Sequence, residues 1–264
     1  MRRVKMAGAE LTVKLMAMTP DAVDVVYSAC RQCYSPAFAG DEFRPHRSAE
    51  SRGMKADAGE DACGTKEALI RRVVASGHES PLEHVSLTFA VRGISRSCSH
   101  QLVRHRLASY SQQSQRYVDM KAFAYVIPPM IERDGELKEM FEATMQDIRQ
   151  KYHRIVEALN RKGIKGEEAT QDARFILPEA AETKIVVTMN CRELLHFFSV
   201  RCCNRAQWEI RRLANEMLRI CKEELPSIFG REAGAKCERL GYCPEGAKHT
   251  CGRYPLKEQA EKNG

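Results

Sequence analysis

The sequence predicts an α+β fold: a mainly antiparallel sheet flanked by helices, in a single domain over residues 1–230, with a Cys/Gly-rich C-terminal tail over 231–264. Three observations carry this. Short apolar or partly alternating runs at 11–18, 85–91 and 184–188 have the length and period of strands. Longer stretches at 66–75, 137–159 and 206–225 repeat apolar residues every three or four positions, as helices that bury one face do. From about Gly230 the character changes, with Cys237, Cys243, His249 and Cys251 set among Gly241, Pro244, Gly246 and Gly252.

At 264 residues the chain is long enough to bury a sizeable core. Its formal net charge of +7 suits phosphates, nucleotides or other polyanions, nucleic acid included. The start, Met1-Arg2-Arg3-Val4-Lys5, has the charge of an export signal, but Glu10 and Lys14 interrupt the apolar segment that would have to follow. No apolar run approaches the ~20 residues of a membrane span. The expectation is a cytoplasmic protein. Its 11 cysteines then read as reduced thiols, metal ligands or small core residues rather than disulfides.

Taking the elements in order, the 11–18 strand is followed by Pro20 and Asp21, which can cap a helix running to about Cys33. Cys30 and Cys33 form a Cys-x-x-Cys pair with no βαβ pattern around it, so two half-buried helix cysteines are expected rather than a redox or zinc pair. Residues 40–62 are polar and aperiodic and read as a long loop. The 66–75 helix carries Leu69, Ile70, Val73 and Val74 as its apolar stripe. Gly77-His78-Glu79-Ser80-Pro81-Leu82-Glu83-His84 then leads into the 85–91 strand. Its histidines and carboxylates are metal-type ligands, yet Pro81 divides them and no helical face collects them, so no metal site is expected. His78 also reads as a loop histidine bonded to backbone.

Ser95 or Ser97 is placed to cap a helix over 94–106, which enters the most unusual stretch of the chain, Gln101 to Tyr117. Here Arg104, His105, Arg106 and Arg116 stand with the amides of Gln101, Gln112, Gln113 and Gln115 and the hydroxyls of Ser109, Ser111 and Ser114, without one carboxylate. Arginine forks match phosphate and carboxylate oxygens two at a time. On a helix, Gln101, Arg104 and His105 share a face and Arg106 points away. The residue types alone leave two readings, an anion site or a solvated basic helix end that complements the helix dipole.

Pro128-Pro129 marks a break, after which the 137–159 helix turns Met140, Phe141, Met145, Ile148, Tyr152, Ile155 and Leu159 to the core or to a subunit interface. A short helix at 167–173 leads into Arg174-Phe175-Ile176-Leu177-Pro178; by spacing, Arg174 pairs with Glu167, Glu168 or Asp172. The 184–188 strand runs into Asn190 and a helix to Arg201. Asn190 with Glu193 three residues on is a variant capping box, and Arg192 and His196 lie one turn apart. Arg201 alone reads as a helix C-terminal arginine. The last long helix buries Ile210, Leu213, Met217, Leu218 and Cys221, with Trp208 as a packing anchor. In the tail, Cys237, Cys243, His249 and Cys251 are a possible zinc set. They lack the usual Cys-x2-4-Cys knuckle, which favours a thiol-bearing turn packed on the core.

Arg104-His105-Arg106, seven further residues, Ser114 and then Arg116 resemble the signature of the flavin-dependent thymidylate synthases. The Gly77–Pro81 turn, Arg174 before Leu-Pro, and Asn190, Arg192, His196 and Arg201 also resemble that family, so the likeness covers about Leu11 to Phe229 in four separated segments. At Ser111 and Gln112 the family often has asparagine and glutamate. The resemblance implies reductive methylation of deoxyuridine monophosphate (dUMP) to thymidine monophosphate (dTMP). The carbon comes from methylenetetrahydrofolate and the reducing equivalents from NADPH through FAD. It implies a substrate site of Gln101, Arg104, Gln112, Gln113, Ser114, Gln115, Arg116, Arg174 and Arg201, with Arg201 at the uracil ring as the catalytic residue. It implies FAD contacts from His78, Ser80, Arg104, His105, Arg106, Gln112, Asn190, Arg192 and His196, with no metal.

The resemblance further implies the strand order of the sheet and a homotetramer with active sites shared between subunits. Ser114 has only His105 beside it as a base, and no cysteine lies in 101–117, so no side chain is expected to bond covalently to the uracil. The rival from another class is a basic nucleic-acid-binding protein. The aromatic content of 7% and the absence of the usual nucleic-acid fold signatures speak against it.

Overall fold

The computed structural model describes residues 8–43, 61–230 and 233–263. Most of the 40–62 loop lies outside the described residues. The chain is a mixture of helix and sheet. Strands β1 (Thr12–Met18), β2 (Ser86–Ser95), β3 (Ala108–Gln112) and β4 (Glu182–Asn190) form an antiparallel sheet in the order β1-β2-β4-β3. Three of these strands sit where alternation and apolar runs predict them. The fourth, β3, falls inside the arginine-rich stretch, where Ala-Ser-Tyr-Ser-Gln is too polar to announce a strand. It is short and sits at the edge of the sheet, where burial on both faces is not required.

Close contacts group the chain into two compact units. The first comprises the described residues up to Lys14, residues 90–104 and residues 110–187. Its core gathers Met120, Phe123, Tyr125, Met145, Tyr152, Val156, Ala173 and Ala181. The long helix Gly135–Arg161 supplies Met145, Tyr152 and Val156, while Met140 and Ile155 from the same predicted stripe remain exposed. Asp134 caps this helix, its carboxylate accepting from the Leu137 N–H at 3.0 Å. Within β2, Gly93 has φ 76°, and a Cβ there would stand 2.0 Å from the Glu10 carbonyl oxygen, so only glycine fits.

The second unit comprises the described residues within 15–89, 105–109 and 188–263. The helix Ala22–Tyr34 packs on the helix Asp61–Ala75 and on the short 3₁₀ turn Ser80–His84. Asp21 precedes the first of these helices but sits at φ 50° and its side chain caps nothing, contrary to expectation. Cys30 is buried and Cys33 exposed, so the Cys-x-x-Cys pair is split between core and solvent rather than half-buried twice. The helix Trp208–Glu224 buries Ile210, Leu213, Met217, Leu218 and Cys221 as its periodicity predicts. Phe198 meets Phe197 and Phe229 with ring centroids 5.7 and 6.0 Å away. The described tail residues belong to this unit and do not group by themselves. Among the described residues, no cysteine is in a disulfide, and no helix is long and apolar enough to cross a membrane.

Candidate active site

The second unit carries the better-defined cluster, built on the helix Cys191–Arg201 that follows β4. Asn190 starts this helix, its side-chain oxygen accepting from the Glu193 N–H at 2.8 Å, as the capping pattern predicts. The helical period then sorts the side chains. Glu193, Leu194, Leu195, Phe197 and Phe198 point inward, whereas Arg192 and His196 emerge one turn apart on the exposed face. Arg201 closes the last turn, where a cation complements the helix dipole.

His105 does not lie on a helix face with Gln101 and Arg104. The helix that Ser95 caps, through its Oγ and the Cys98 N–H at 3.0 Å, runs only over Arg96–Leu102. The Arg104 N–H bonds back to the Gln101 carbonyl at 3.3 Å, and beyond this tight turn His105 sits in the interior, 7% exposed. Its Nδ1 is 3.2 Å from Glu193 Oε1. Arg201 Nε donates to its Nε2 at 3.0 Å. The Phe197 ring packs against it edge-on at 4.9 Å. Burial, with the neighbouring charges of Arg201 and His196, holds the His105 pKa down to about 4, so the ring is neutral at physiological pH. Burial pushes the Glu193 carboxyl the other way, above its ordinary value.

On the same unit, Gly77 at φ 80° ends the helix Asp61–Ala75, and the His78 N–H closes the turn on the Val73 carbonyl at 3.2 Å. His78 then bridges two hydroxyls, Tyr34 Oη at 2.7 Å from Nδ1 and Ser80 Oγ at 3.1 Å from Nε2. Ser80 lines an open cavity of about 430 Å³ with Ser28, Cys33, Pro81 and His84. Arg192 bonds Glu83 and lies 3.8 Å from Glu79, which also stands 3.6 Å from Arg239. Arg106 is exposed. Among the described residues, no group of three His, Cys, Asp or Glu side chains is arranged to hold a metal.

The first unit holds the remaining predicted residues. Gln112 ends β3 with its amide turned inward, donating to Ser99 Oγ at 2.9 Å and Thr183 Oγ1 at 3.0 Å. The Gln113 N–H bonds the Lys184 carbonyl at 2.8 Å, which continues the pairing with β4. Ser114 Oγ then accepts from the Arg116 N–H at 3.1 Å, shaping the turn that presents Gln115 and Arg116. The Arg116 guanidinium pairs with Glu167. Arg174, which spacing assigned to that pairing, makes no ion pair among the described residues. It lines a cavity of about 320 Å³ with Arg96, His100, Gln115 and Glu179. The nearby Arg174 charge and, above all, burial lower the Arg96 pKa. Gln101 is half-buried and Arg104 exposed.

Two features of the second unit escaped sequence reasoning. Glu193 was visible as a capping-box partner, but its carboxylate is spent on His105, 88 residues away in sequence. Its place one position after Arg192 on an otherwise apolar face was the available signal. The other is the tail: Cys237, Cys243, His249 and Cys251 line one cavity of about 230 Å³ together with Arg201, Cys203 and Asn204. The tail therefore stands against the predicted catalytic residue.

The thymidylate synthase complementing protein family model matches residues 14–227. The chain is 52% identical over 253 residues to a flavin-dependent thymidylate synthase of Nitratidesulfovibrio vulgaris, covering 96% of this chain and 99% of the relative. It is 46% identical over 245 residues to one of Geobacter sulfurreducens, covering 92% and 94%. Its fold resembles a crystal structure of a UMP/dUMP methylase from Streptomyces cacaoi bound with 5-Br dUMP, with a TM-score of 0.66, 24% identity, and coverage of 85% of this chain and 95% of that one. The match to the family model over most of its length and the extent of identity with these relatives make the chain a member of the flavin-dependent thymidylate synthase family.

Proposed function

We propose that this protein is a cytoplasmic FAD-dependent thymidylate synthase. It converts dUMP to dTMP with carbon from methylenetetrahydrofolate and reducing equivalents from NADPH, and acts as a homotetramer whose subunits share active sites. The observation that carries the reading is Arg201. Its Nε is anchored on a buried, neutral imidazole, and among the described residues its two terminal amino groups have no hydrogen-bond partner. A guanidinium held through Nε, with its terminal amino groups available among the described residues, suits the carbonyl oxygens of a planar ring such as uracil. As the ring reacts it gathers negative charge on those atoms, and Arg201 stabilises that charge without having to reorganise.

A nucleotide monophosphate carries close to two negative charges at neutral pH. Arg104, Arg116 and Arg174, with Ser114 and the amides of Gln101, Gln113 and Gln115, supply charge-assisted donors for it. The residues assigned to FAD also fit. Arg192 and His196 project from one exposed helix face, and Ser80, bonded to His78, lines the open cavity. Arg104, Arg106 and Gln112 complete that set, while His105 and Asn190 contribute by fixing Arg201 and the helix start. When bound, FAD supplies the redox chemistry, drawing reducing equivalents from NADPH. The protein supplies orientation and field. Ser114 binds and does not attack: its oxygen is engaged by the Arg116 N–H, and no base touches it among the described residues.

The test is product formation under anaerobic conditions. dTMP is expected only when dUMP, methylenetetrahydrofolate, NADPH and FAD are all present. Production of dTMP by enzyme stripped of flavin overturns the reading.

A further inference from the structure

Glu193 does more than complete a helix cap. The cap uses its main-chain N–H, which any residue except proline provides, so the carboxylate is free for another task. Glu193 is 5% exposed, and burying a carboxylate without a partner is costly. Its partner is His105, and the hydrogen bonds around that ring settle its tautomer. Arg201 Nε can only donate, so His105 Nε2 must be the unprotonated acceptor. A neutral ring then carries its one proton on Nδ1, the atom 3.2 Å from Glu193 Oε1. The opposite tautomer sets a ring N–H against the Arg201 N–H and releases the arginine.

We propose that Glu193 is a positioning residue for Arg201, acting through His105: its carboxylate holds the imidazole proton on Nδ1, which leaves Nε2 to grip Arg201 Nε and keeps the terminal amino groups turned to substrate. Hydrogen bonds in a chain polarise one another in a low-dielectric interior, so the carboxylate also makes Nε2 a better acceptor. The proposal rests on Arg201 as the residue that meets the uracil ring.

The decisive experiment reads the tautomer directly, by 15N NMR of protein labelled in its histidine rings, beside steady-state kinetics. In the wild-type protein His105 is expected to be protonated on Nδ1 and bare on Nε2. Glu193→Gln retains a carbonyl oxygen for the Nδ1 proton and is expected to keep the tautomer and most of the turnover. Glu193→Leu is expected to lose the tautomer and to lower kcat for dTMP formation by about 100-fold, with a smaller change in KM for dUMP. A wild-type ring protonated on Nε2 overturns the proposal, and so does a Leu variant with the wild-type tautomer and kcat. Should Glu193→Leu fail to fold, the wild-type and Gln spectra still decide the matter. The spectra need no turnover, so the expected tautomers in a protein that makes no dTMP would count against the enzymatic reading alone.

Discussion

Arg201 Nε donates to His105 Nε2 at 3.0 Å, and the ring that accepts is kept neutral by burial. Lysine at 201 has no second edge with which to be held while the first binds substrate. Arg201→Lys is therefore expected to fold normally, retain flavin and lose about 10²–10³ in kcat, the cost of removing one donor from a site of developing negative charge. Steady-state dTMP formation checks this; a variant within about threefold of wild type contradicts the role given to Arg201.

The same ring sets a pH dependence of stability. His105 titrates at about 4 in the folded protein, below its ordinary value, so the unfolded chain binds its proton first as pH falls. The stability it contributes is present above about pH 6.5 and is lost between there and about pH 4, on the order of 3 kcal/mol in all. Glu193, shifted upward, takes up its proton earlier in the folded state and offsets part of this loss. Thermal unfolding should thus show a midpoint that falls from pH 7 to pH 5, and His105→Gln should flatten that fall. Equal slopes in the two proteins would contradict it.

Arg116 is paired with Glu167, and both side chains are partly solvent-exposed. If Arg116 binds the substrate phosphate, Glu167 competes for it. Exposed pairs of this kind contribute at most about 1 kcal/mol, so Glu167→Ala should tighten dUMP binding by up to about fivefold. Isothermal titration measures it. Weaker binding in the variant would mean that Glu167 orients Arg116 instead of restraining it.

The cysteines divide by environment. Burial pushes the thiols of Cys202 up to about 12 and those of Cys191 and Cys221 higher still. Cys251 is exposed, and its thiol is lowered by the Arg253 N–H and by the Asn204 amide 3.7 Å from its sulfur. Since the thiolate is the nucleophile, a disulfide reagent at neutral pH should label Cys251 rapidly and leave Cys191, Cys202 and Cys221 unlabelled until the protein unfolds. Peptide mass spectrometry separates these sites. Early labelling of Cys191 or Cys221 would contradict the packing described.

Much of the fold was legible because burial imposes a period. The stripe of Ile210, Leu213, Met217 and Cys221 and the alternation of β4 are written by the core itself. What was not legible depends on contacts distant in sequence. β3 is held by neighbours rather than by its own polar residues, and the helix before it stops at Leu102, four residues short of the expected end. The arginines proposed for the site were recognisable through the resemblance of their segments to the family signature. The pairing of Arg116 rather than Arg174 with Glu167, and of Glu193 with His105, required the chain to be folded.

The central claim is that flavin and dUMP meet in one site of this protein, and the visible spectrum tests it most directly. Purified protein, reconstituted with FAD and titrated with dUMP, should show the oxidised-flavin bands shifting in a saturable way as nucleotide fills the site. Arg201→Ala should weaken or abolish the shift while the flavin remains bound. A protein that cannot retain FAD, or a flavin spectrum indifferent to saturating dUMP, would contradict the account.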